Sequence, residues 1–392
     1  MPLRILIVPD KFKGTLTAGA AAKAIARGWR RARPQDDLDL LPMSDGGDGF
    51  GEVMSALIGA VPQTVKTCDA AHRPCRARWW WEPRTRTAII ESAEVIGLAM
   101  LPAAKFHPFH LDTCGLGTVL RAVVEKGAQR CLLGLGGSAT NDAGFGLARA
   151  LGWQFLKRNG KLIESWIELN ELDRVLPGPD CPLSEIVVAV DVQNPLLGPR
   201  GATRVYGPQK GLKPGDFRLA ERSLAALAAM SKRRKNASNL ARLPGAGAAG
   251  GLGFGILAFL GGRLERGFNL FAREARLEEK LRGKDLVLTG EGAIDESTFM
   301  GKGAGQIAML CRKRRIPCIG LAGQLTQNAS PTPSRLFNRL FALTQLTTVS
   351  HARRYPAKWL ERLATRLAET WPHEVLSDEP FKPRHPKLAA HK

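Results

Sequence analysis

Residues 130–144 read RCLLGLGGSATNDAG, and this stretch decides the class of fold. The run 130–135, which is apolar after Arg130, is typical of a buried strand, and glycines and small polar residues follow it directly. Asp142 is expected to begin the next helix. A strand, a polar turn and a helix in this order are the repeating unit of a parallel sheet covered by helices. The sequence therefore predicts an α/β fold.

The same order recurs along the chain. Further buried strands are predicted at 4–8, 37–41, 185–190, 285–289 and 316–322. A helix over 17–31 follows the first of these strands, because its apolar residues recur at helical spacing. Residues 61–91 differ, since their short alternating runs favour antiparallel or mixed strands. The three tryptophans at 79–81 are expected to pack in the core of this region.

These strands suggest two domains. Because strands from both chain ends flank the mixed middle, we expect a Rossmann-like parallel sheet built from residues 1–65 and 285–371. Residues 66–284 would form a second, mixed α/β domain inserted between them. The segment 372–392 is rich in proline and charge without periodicity, so we expect a disordered tail.

The charge of the chain raises nucleic acid as a partner. With 57 Lys and Arg against 36 Asp and Glu, the formal net charge is +21. Fifteen of the basic residues and five of the acidic ones follow Cys311, with a dense run at 312–315. We interpret them mainly as solvated helix ends and loops, where cations complement the helix dipole. A basic nucleic-acid-binding protein remains an alternative.

Cysteine usage and hydropathy predict a cytoplasmic protein. The seven cysteines form no CxxC pair, and no Cys/His group has zinc-finger spacing, which argues against a structural metal site. Reduced, buried thiols fit a cytosolic chain. The first apolar run is too short for a signal-peptide core, and the longest, 248–260, is too short to span a bilayer.

Two glycine-rich segments are candidate phosphate sites. The turn after strand 130–135 offers Gly136 and Gly137 for close backbone approach and small donors at Ser138 and Asn141. The segment 244–255 is denser in glycine, and the four that we single out are Gly245, Gly247, Gly250 and Gly251.

Three of those four match the pattern G-x-G-x-x-G. Gly245, Gly247 and Gly250 would bind a dinucleotide such as NAD if a strand preceded them, but 238–243 is not a convincing strand. Three interpretations stay open for this segment: an NAD-dependent dehydrogenase, contact with phosphate, and a glycine-rich helix packed closely on a neighbour. A P-loop motif is absent from the sequence.

Acidic residues follow several predicted strands. They are Asp10, Asp45, Asp48, Asp191, Glu291 and Asp295. A parallel sheet gathers such positions at one edge, and carboxylates beside anion-binding turns suit Mg²⁺ and a nucleotide. Asp191 directly follows the buried strand 185–190 and is the candidate base. Lys11 and Lys13 follow the first strand and are candidates for holding an anion.

Eight segments together resemble a known family. They are PDKFKGTLTA (9–18), PMSDGGDG (42–49), ESAEVIGL (91–98), GLGGSATNDAG (134–144), DVQNPLLG (191–198), GPQKG (207–211), PGAGAAGGLG (244–253) and TGEGAID (289–295). In this order they resemble the glycerate kinase family, of the bacterial type similar to glycerate 2-kinases, over about residues 3–370. Lys11 stands where that family usually has serine, and Ala293 where it has arginine.

The resemblance implies a non-P-loop kinase with two α/β domains and an active site in the cleft. Its expected reaction is the ATP- and Mg²⁺-dependent phosphorylation of D-glycerate, giving 2-phosphoglycerate, with Asp191 as the base. D-glycerate and ATP are then the expected partners, with neither nucleic acid nor membrane, and the resemblance leaves a homo-oligomer open.

The candidate site residues divide by role. For ATP we expect Gly136, Gly137, Ser138, Asn141, Gly245, Gly247, Gly250 and Gly251. For D-glycerate we expect Lys11, Lys13, Ser44 and Asp45, and for Mg²⁺ we expect Glu291 and Asp295.

Overall fold

The computed structural model describes residues 1–231, 239–295, 298, 303–325 and 336–372. Most of the expected disordered tail, from 373 onward, lies outside these residues. The chain divides into two compact units. The first unit comprises 1–44 and the residues from 271 onward, and the second comprises 45–270. One α/β unit is therefore built from both chain ends, with the other inserted in it.

The structure alternates strands and helices through most of its length. The strands are β1 (Arg4–Pro9), β2 (Asp37–Leu40), β3 (Val61–Cys68), β4 (Pro74–Glu82), β5 (Thr87–Glu91), β6 (Arg130–Gly134), β7 (Gln154–Lys157), β8 (Leu172–Leu176), β9 (Glu185–Val190), β10 (Arg263–Arg266), β11 (Leu286–Ile294), β12 (Cys318–Leu325) and β13 (Arg339–Ala342). The helices are α1 (Ala18–Ala32), α2 (Phe50–Ile58), α3 (Ala93–Ile96), α4 (Cys114–Glu125), α5 (Phe145–Ala150), α6 (Ala202–Lys210), α7 (Phe217–Ser231), α8 (Ala248–Leu260), α9 (Gly267–Glu274), α10 (Leu277–Lys280), α11 (Gly303–Arg314), α12 (Val349–Arg354) and α13 (Pro356–Thr370).

The first unit contains a five-stranded sheet in the order β13-β12-β11-β1-β2. All of its strand pairs are parallel, so the Rossmann-like sheet predicted from both chain ends is confirmed. The apolar side chains of β1 alternate between the two faces of the sheet, and Ile5 and Ile7 belong to one core with α1 and α13. Trp29 of α1 is fully buried in this core.

The second unit contains a mixed six-stranded sheet in the order β10-β9-β6-β5-β4-β3. The four strands from β10 to β5 pair in parallel, whereas β4 pairs antiparallel with both β5 and β3. This confirms the mixed strands predicted for 61–91. The tryptophans of β4 alternate as the pleat requires: Trp79 and Trp81 belong to one core, and Trp80 to the core on the other face.

The boundaries between the units fall earlier in the chain than the sequence suggested. They lie at 44/45 and 270/271, instead of 65/66 and 284/285. Phe50 and Met54 of α2 share a core with Trp80 and with Leu270. These four side chains are buried against the second sheet, so α2 and the chain up to 270 belong to the second unit.

Each parallel sheet brings the residues that follow its strands to one edge. In the second unit, Glu91, Gly134 and Ala189 are register partners across β5, β6 and β9. The turns after these strands therefore leave the sheet side by side, which positions the site described below. Within the described residues, none of the helices combines the length and the apolar character needed to cross a bilayer.

Candidate active site

The turn 136–141 lies directly against the acidic turn 45–49 that precedes α2. A Cβ at Gly136 would lie 2.6 Å from the Gly47 Cα, and one at Gly137 would lie 2.6 Å from Asp48 Oδ1. Gly137 also has a φ of +61°, which favours glycine. Only glycine at both positions lets the two turns come this close. The structure thus brings Gly136 and Gly137 together with the acidic turn.

Asp45 lies at the same edge of the sheet. A Cβ at Gly267, the residue after β10, would lie 1.7 Å from the Asp45 carbonyl oxygen. A Cβ at Gly46 would lie 3.0 Å from the carbonyl oxygen of Ala189, near the end of β9. The acidic turn is therefore pressed against the ends of two parallel strands, and close backbone packing holds it there.

A buried lysine ammonium lies beneath the turn 136–141. Lys210, the last residue of α6, donates from Nζ to Ser138 Oγ at 3.0 Å and to the Thr140 carbonyl oxygen at 2.7 Å. Its side chain is only 6% exposed. Burial lowers the pKa of Lys210 from 10.5 to about 7, although the nearby Asp142 favours the charged form. A cation thus supports a glycine turn whose N–H groups suit anions.

Two polar atoms of the same turn are buried and unpaired. Thr140 Oγ1 and Asn141 Oδ1 have no hydrogen-bond partner among the residues that the structure describes. The amide nitrogen of Asn141 is held by Thr203 of α6, with a 3.0 Å bond from Nδ2 to Oγ1. Buried unpaired polar atoms are rare, and they are expected where a bound ligand completes the hydrogen bonding. This turn therefore fits a polar ligand.

Asp142 anchors the end of the turn. Its carboxylate accepts hydrogen bonds from the backbone N–H and hydroxyl of Thr113 at 3.0 and 2.7 Å, and from the Gly146 N–H at 2.9 Å. Burial raises the pKa of Asp142 to about 6. The expectation that Asp142 begins the helix was wrong, because α5 starts at Phe145 and the carboxylate instead ties the turn to Thr113.

The glycines of 244–255 pack closely against other parts of the second unit. A Cβ at Gly250 would lie 1.9 Å from the Thr140 carbonyl oxygen, one at Gly247 2.3 Å from that of Pro195, and one at Gly245 2.9 Å from Val190 Cγ2. Gly250 also accepts a hydrogen bond from the Ala143 N–H through its carbonyl oxygen. Gly250 lets the start of α8 press onto the loop 140–144, and Gly245 and Gly247 let the preceding chain pack on Val190 and Pro195. The structure therefore favours the close-packing interpretation for all three.

Within the described residues 239–247, no strand leads into this segment, although a dinucleotide fingerprint requires one. Residues Leu240–Arg242 form a short 3-10 helix, and the chain enters α8 from there. Gly251, with a φ of +88°, would place a Cβ 2.5 Å from Leu196 Cδ1. The G-x-G-x-x-G match therefore reflects packing of α8, which removes the basis of the dehydrogenase alternative.

Glu91 caps the helix that follows the acidic turn. Its two carboxylate oxygens accept from the backbone N–H groups of Gly49 and Gly51, each at 2.9 Å. Burial raises the pKa of Glu91 above its usual range, whereas these two N–H groups favour the carboxylate. Glu91 thereby ties the end of β5 to the first turn of α2.

Asp191 follows β9 directly and is exposed. The pKa of Tyr206 in α6 is raised to about 12, mainly by burial and secondly by the negative charge of Asp191. Asp191 therefore lies near Tyr206. The Tyr206 hydroxyl donates to Asn194 Oδ1 at 2.6 Å, which holds the segment after β9 onto α6. Asp191 is thus an accessible carboxylate at the end of a fully buried strand, beside the turn that follows β6.

The remaining predicted site residues belong to the first unit. Ser44 and Glu291 are buried, whereas Lys13 is exposed. Thr298 donates its hydroxyl to Glu291 Oε1 at 2.7 Å and accepts from the Asp295 N–H at 3.2 Å. Glu291 and Asp295 are thus brought together at the end of β11.

Neighbouring register positions extend this group. Pro9, the last residue of β1, pairs with Gly290 of β11. Asp10 and Lys11, which follow Pro9, therefore leave β1 beside Glu291, which follows Gly290 in β11. A Cβ at Gly292 would lie 3.0 Å from the Lys13 backbone nitrogen, which shows how closely the 10–13 turn packs on β11.

Lys210 and Thr203 are site residues that the sequence-based interpretation missed. They lie seven residues apart, two turns along one face of α6, and both contact the turn 138–141. The signal was present, because Lys210 falls in the segment GPQKG (207–211), which carried part of the family resemblance.

A glycine turn beside a buried lysine, at the carboxyl ends of parallel strands, is an arrangement typical of α/β enzymes that bind anions. Residues 5–372 match the model of the glycerate kinase family. The chain belongs to this family, so the prediction of a kinase, an enzyme that transfers phosphoryl groups, is confirmed. Membership of a kinase family implies ATP as the co-substrate.

Individual relatives cover nearly the whole chain. The glycerate 2-kinase of Escherichia coli K12 is 34% identical over 94% of this chain and 98% of its own length. The glycerate kinase of Bacillus subtilis is 35% identical over 93% and 97%, respectively. A crystal structure of a glycerate kinase 2 from Salmonella typhimurium LT2 has a TM-score of 0.80 at 31% identity, over 94% of this chain and 98% of that one.

Proposed function

We propose that the protein transfers the γ-phosphoryl group of ATP to the 2-hydroxyl of D-glycerate, with Mg²⁺ as the metal, giving 2-phosphoglycerate and ADP. The observation that carries this proposal is the strand edge of the second unit. There the turn 136–141 follows β6, and Asp191 follows the neighbouring parallel strand β9. The Lys210 ammonium contacts the turn 136–141 through Ser138. An anion site and a base at one sheet edge are what phosphoryl transfer to an alcohol requires.

In this proposal the phosphates of ATP bind at the turn 136–141. The backbone N–H groups of Gly136, Gly137 and Ser138 would face the phosphate oxygens, with Lys210 supplying positive charge beneath them. The unpaired Thr140 Oγ1 and Asn141 Oδ1 support this assignment, because a ligand can complete their hydrogen bonds.

The glycines at 245–251, just before α8 and in its first residues, then act through packing. Gly250 and Gly251 let the start of α8 approach the loop 140–144, whereas Gly245 and Gly247 let the preceding chain pack on Val190 and Pro195. Contact between these glycines and ATP stays a prediction from the sequence.

Asp191 is proposed as the base. Its carboxylate accepts the proton of the glycerate 2-hydroxyl while that oxygen attacks the γ-phosphorus in line. A new P–O bond forms to the substrate as the bond to the β-phosphate oxygen breaks, and ADP leaves with the bonding electrons. The exposure of Asp191 at the end of a buried strand supports this role, since the carboxylate is accessible and its backbone is held.

Glu291 and Asp295 are proposed to hold the Mg²⁺ ion. Their side chains offer carboxylate oxygens, the ligands that Mg²⁺ prefers, and the shared contact with Thr298 keeps the two residues together. When bound, the ion would neutralise charge on the phosphates. Lys11, Lys13, Ser44 and Asp45 are the proposed contacts of D-glycerate, in which the lysines would face its carboxylate.

The substitution Asp191→Asn tests the base. We expect kcat to fall by about 10²–10⁴-fold, because the amide keeps the shape of the side chain but cannot accept the proton. Gln193→Ala, an exposed neighbour on the same segment, is the matched control and should leave kcat unchanged. Near-normal turnover by Asp191→Asn would remove Asp191 as the base, whereas the family assignment would stand.

A further inference from the structure

Two cysteines and a histidine meet in the second unit, away from the turns described above. Cys68 is the last residue of β3, Cys114 is the first residue of α4, and His72 lies in the turn between β3 and β4. One ligand atom from each of the three, either a sulfur or a ring nitrogen, lies within 4.8 Å of the other two. The spacing of cysteines and histidines in the sequence does not indicate this group, because Cys114 is distant along the chain and only folding brings it to Cys68.

The scaffold holds the two sulfur atoms close together. A Cβ at Gly115 would lie 1.9 Å from the Cys68 carbonyl oxygen, so the start of α4 packs directly on the end of β3. Thr67 also donates its hydroxyl to the Gly115 carbonyl oxygen at 2.8 Å. The two cysteines are thereby fixed by contacts of their neighbours, and their approach does not depend on the side-chain rotamers alone.

The histidine has the partner that metal-bound histidines usually have. His72 Nε2 lies 3.2 Å from Asp112 Oδ2, and the other oxygen of Asp112 accepts from the Cys114 N–H at 2.9 Å. A carboxylate that accepts a hydrogen bond from one ring nitrogen fixes the tautomer of the histidine, so that the other nitrogen is free of its proton and can bind a metal. Asp112 is itself buried, with 8% of its surface exposed, so it belongs to the scaffold.

We propose that Cys68, His72 and Cys114 form a binding site for one thiophilic metal ion, of which Zn²⁺ is the expected example. Two sulfur ligands and one imidazole are a donor set typical of Zn²⁺, which prefers four ligands in tetrahedral geometry. A water molecule can supply the fourth ligand. Each thiol gives up its proton to solvent when the metal–sulfur bond forms, so binding tightens as the pH rises.

The proposed metal site lies next to the hydrogen bonds between Thr113 and Asp142 that anchor the end of the turn 136–141. Thr113, between Asp112 and Cys114, donates to Asp142 from both its N–H and its hydroxyl. A metal at Cys114 therefore tightens the helix start on which Asp142 depends. The proposal itself concerns binding alone and does not rest on the proposed kinase reaction.

The test is a titration of the full chain with Co²⁺, in metal-free reducing buffer. Cobalt replaces zinc in such sites, and bonds to thiolate sulfur produce an intense near-ultraviolet charge-transfer band. We expect this band to saturate at one equivalent and to disappear when Zn²⁺ is added. Absence of the band, or saturation only at several equivalents, would overturn the proposal.

Variants assign the ligands. Cys68→Ser and Cys114→Ser should each abolish saturable binding at one equivalent, whereas Cys181→Ser, another half-buried thiol of the same unit, should bind as the wild type does. His72→Asn should weaken Co²⁺ binding at least 10-fold. Retention of the band in Cys68→Ser, or its loss in Cys181→Ser, would contradict the assignment.

A second measurement, the melting temperature with and without Zn²⁺, uses only the wild-type protein and therefore does not depend on the folding of a variant. Saturating Zn²⁺ should raise the melting temperature of the wild-type chain by several degrees, because the metal binds the folded site and not the dispersed ligands of the unfolded chain. An unchanged melting temperature, with free Zn²⁺ far above the concentration that saturates the cobalt band, would count against the site.

Discussion

The buried ammonium of Lys210 predicts how stability depends on pH. Its folded pKa is about 7 and its ordinary value is 10.5, so between these values the unfolded chain binds one more proton than the folded protein. Stability must then rise with pH by about 1.4 kcal/mol per unit, and must fall again as the pH drops toward 7. The difference accumulates to roughly 2.5 kcal/mol between about pH 7.5 and 9.5.

The substitution Lys210→Met isolates this effect, since methionine has a similar length and does not titrate. We expect the free energy of unfolding of the wild type, measured relative to that of Lys210→Met, to rise by about 1.4 kcal/mol per pH unit across this range. Urea unfolding at several pH values, followed by tryptophan fluorescence, measures the difference. Lys213→Met, which removes an exposed lysine just beyond α6, is the control and should track the wild type.

A difference that stays constant with pH would refute the reasoning. It would mean that Lys210 titrates in the folded protein as it does in the unfolded chain, and hence that its ammonium is not buried beside Ser138 and Thr140. The same variant should also bind ATP less tightly at neutral pH, because the turn 136–141 would lose the cation beneath it.

Two further substitutions test the packing around this turn. Gly250→Ala should destabilise the protein by about 2–4 kcal/mol, since its Cβ would overlap the Thr140 carbonyl oxygen and its φ is positive. Gly160→Ala, which has a similar φ but open space around it, should lose only about 1 kcal/mol, and equal losses in urea unfolding would contradict the packing argument. Glu91→Gln should lose about 1–3 kcal/mol, because an amide can accept only one of the two N–H groups at the start of α2, and unchanged stability would show that the cap contributes nothing.

The strands could be predicted because they are local. The run 186–190 is apolar throughout, as a strand buried on both faces must be, and it forms all of β9 except Glu185. The parallel sheet built from both chain ends follows from the order of such runs. The boundaries between the units could not be predicted from the order of these runs. Phe50 belongs to the second unit because it shares a core with Trp80, and which core a residue joins is decided only in the folded chain.

The site could be predicted only in part for the same reason. Strand-end positions such as Asp191 and the turn 136–141 are local features, and they follow β9 and β6 in the structure, whereas their functional roles stay predictions. The role of Lys210 depends on contacts with residues about seventy positions away, and a lysine in sequence is ordinarily an exposed residue. The glycines at 245–251 match a nucleotide pattern, yet what requires them is close packing on other parts of the chain, such as the Thr140 backbone and the Val190 side chain.

The central claim is that this member of the glycerate kinase family phosphorylates D-glycerate at its 2-hydroxyl. The most direct test incubates the protein with ATP, Mg²⁺ and D-glycerate and identifies the product by ³¹P and ¹H NMR. We expect 2-phosphoglycerate and an equal amount of ADP, both formed about 10²–10⁴-fold more slowly by Asp191→Asn. Release of no ADP would contradict the proposed reaction, and 3-phosphoglycerate as the product would contradict the assignment of the 2-hydroxyl.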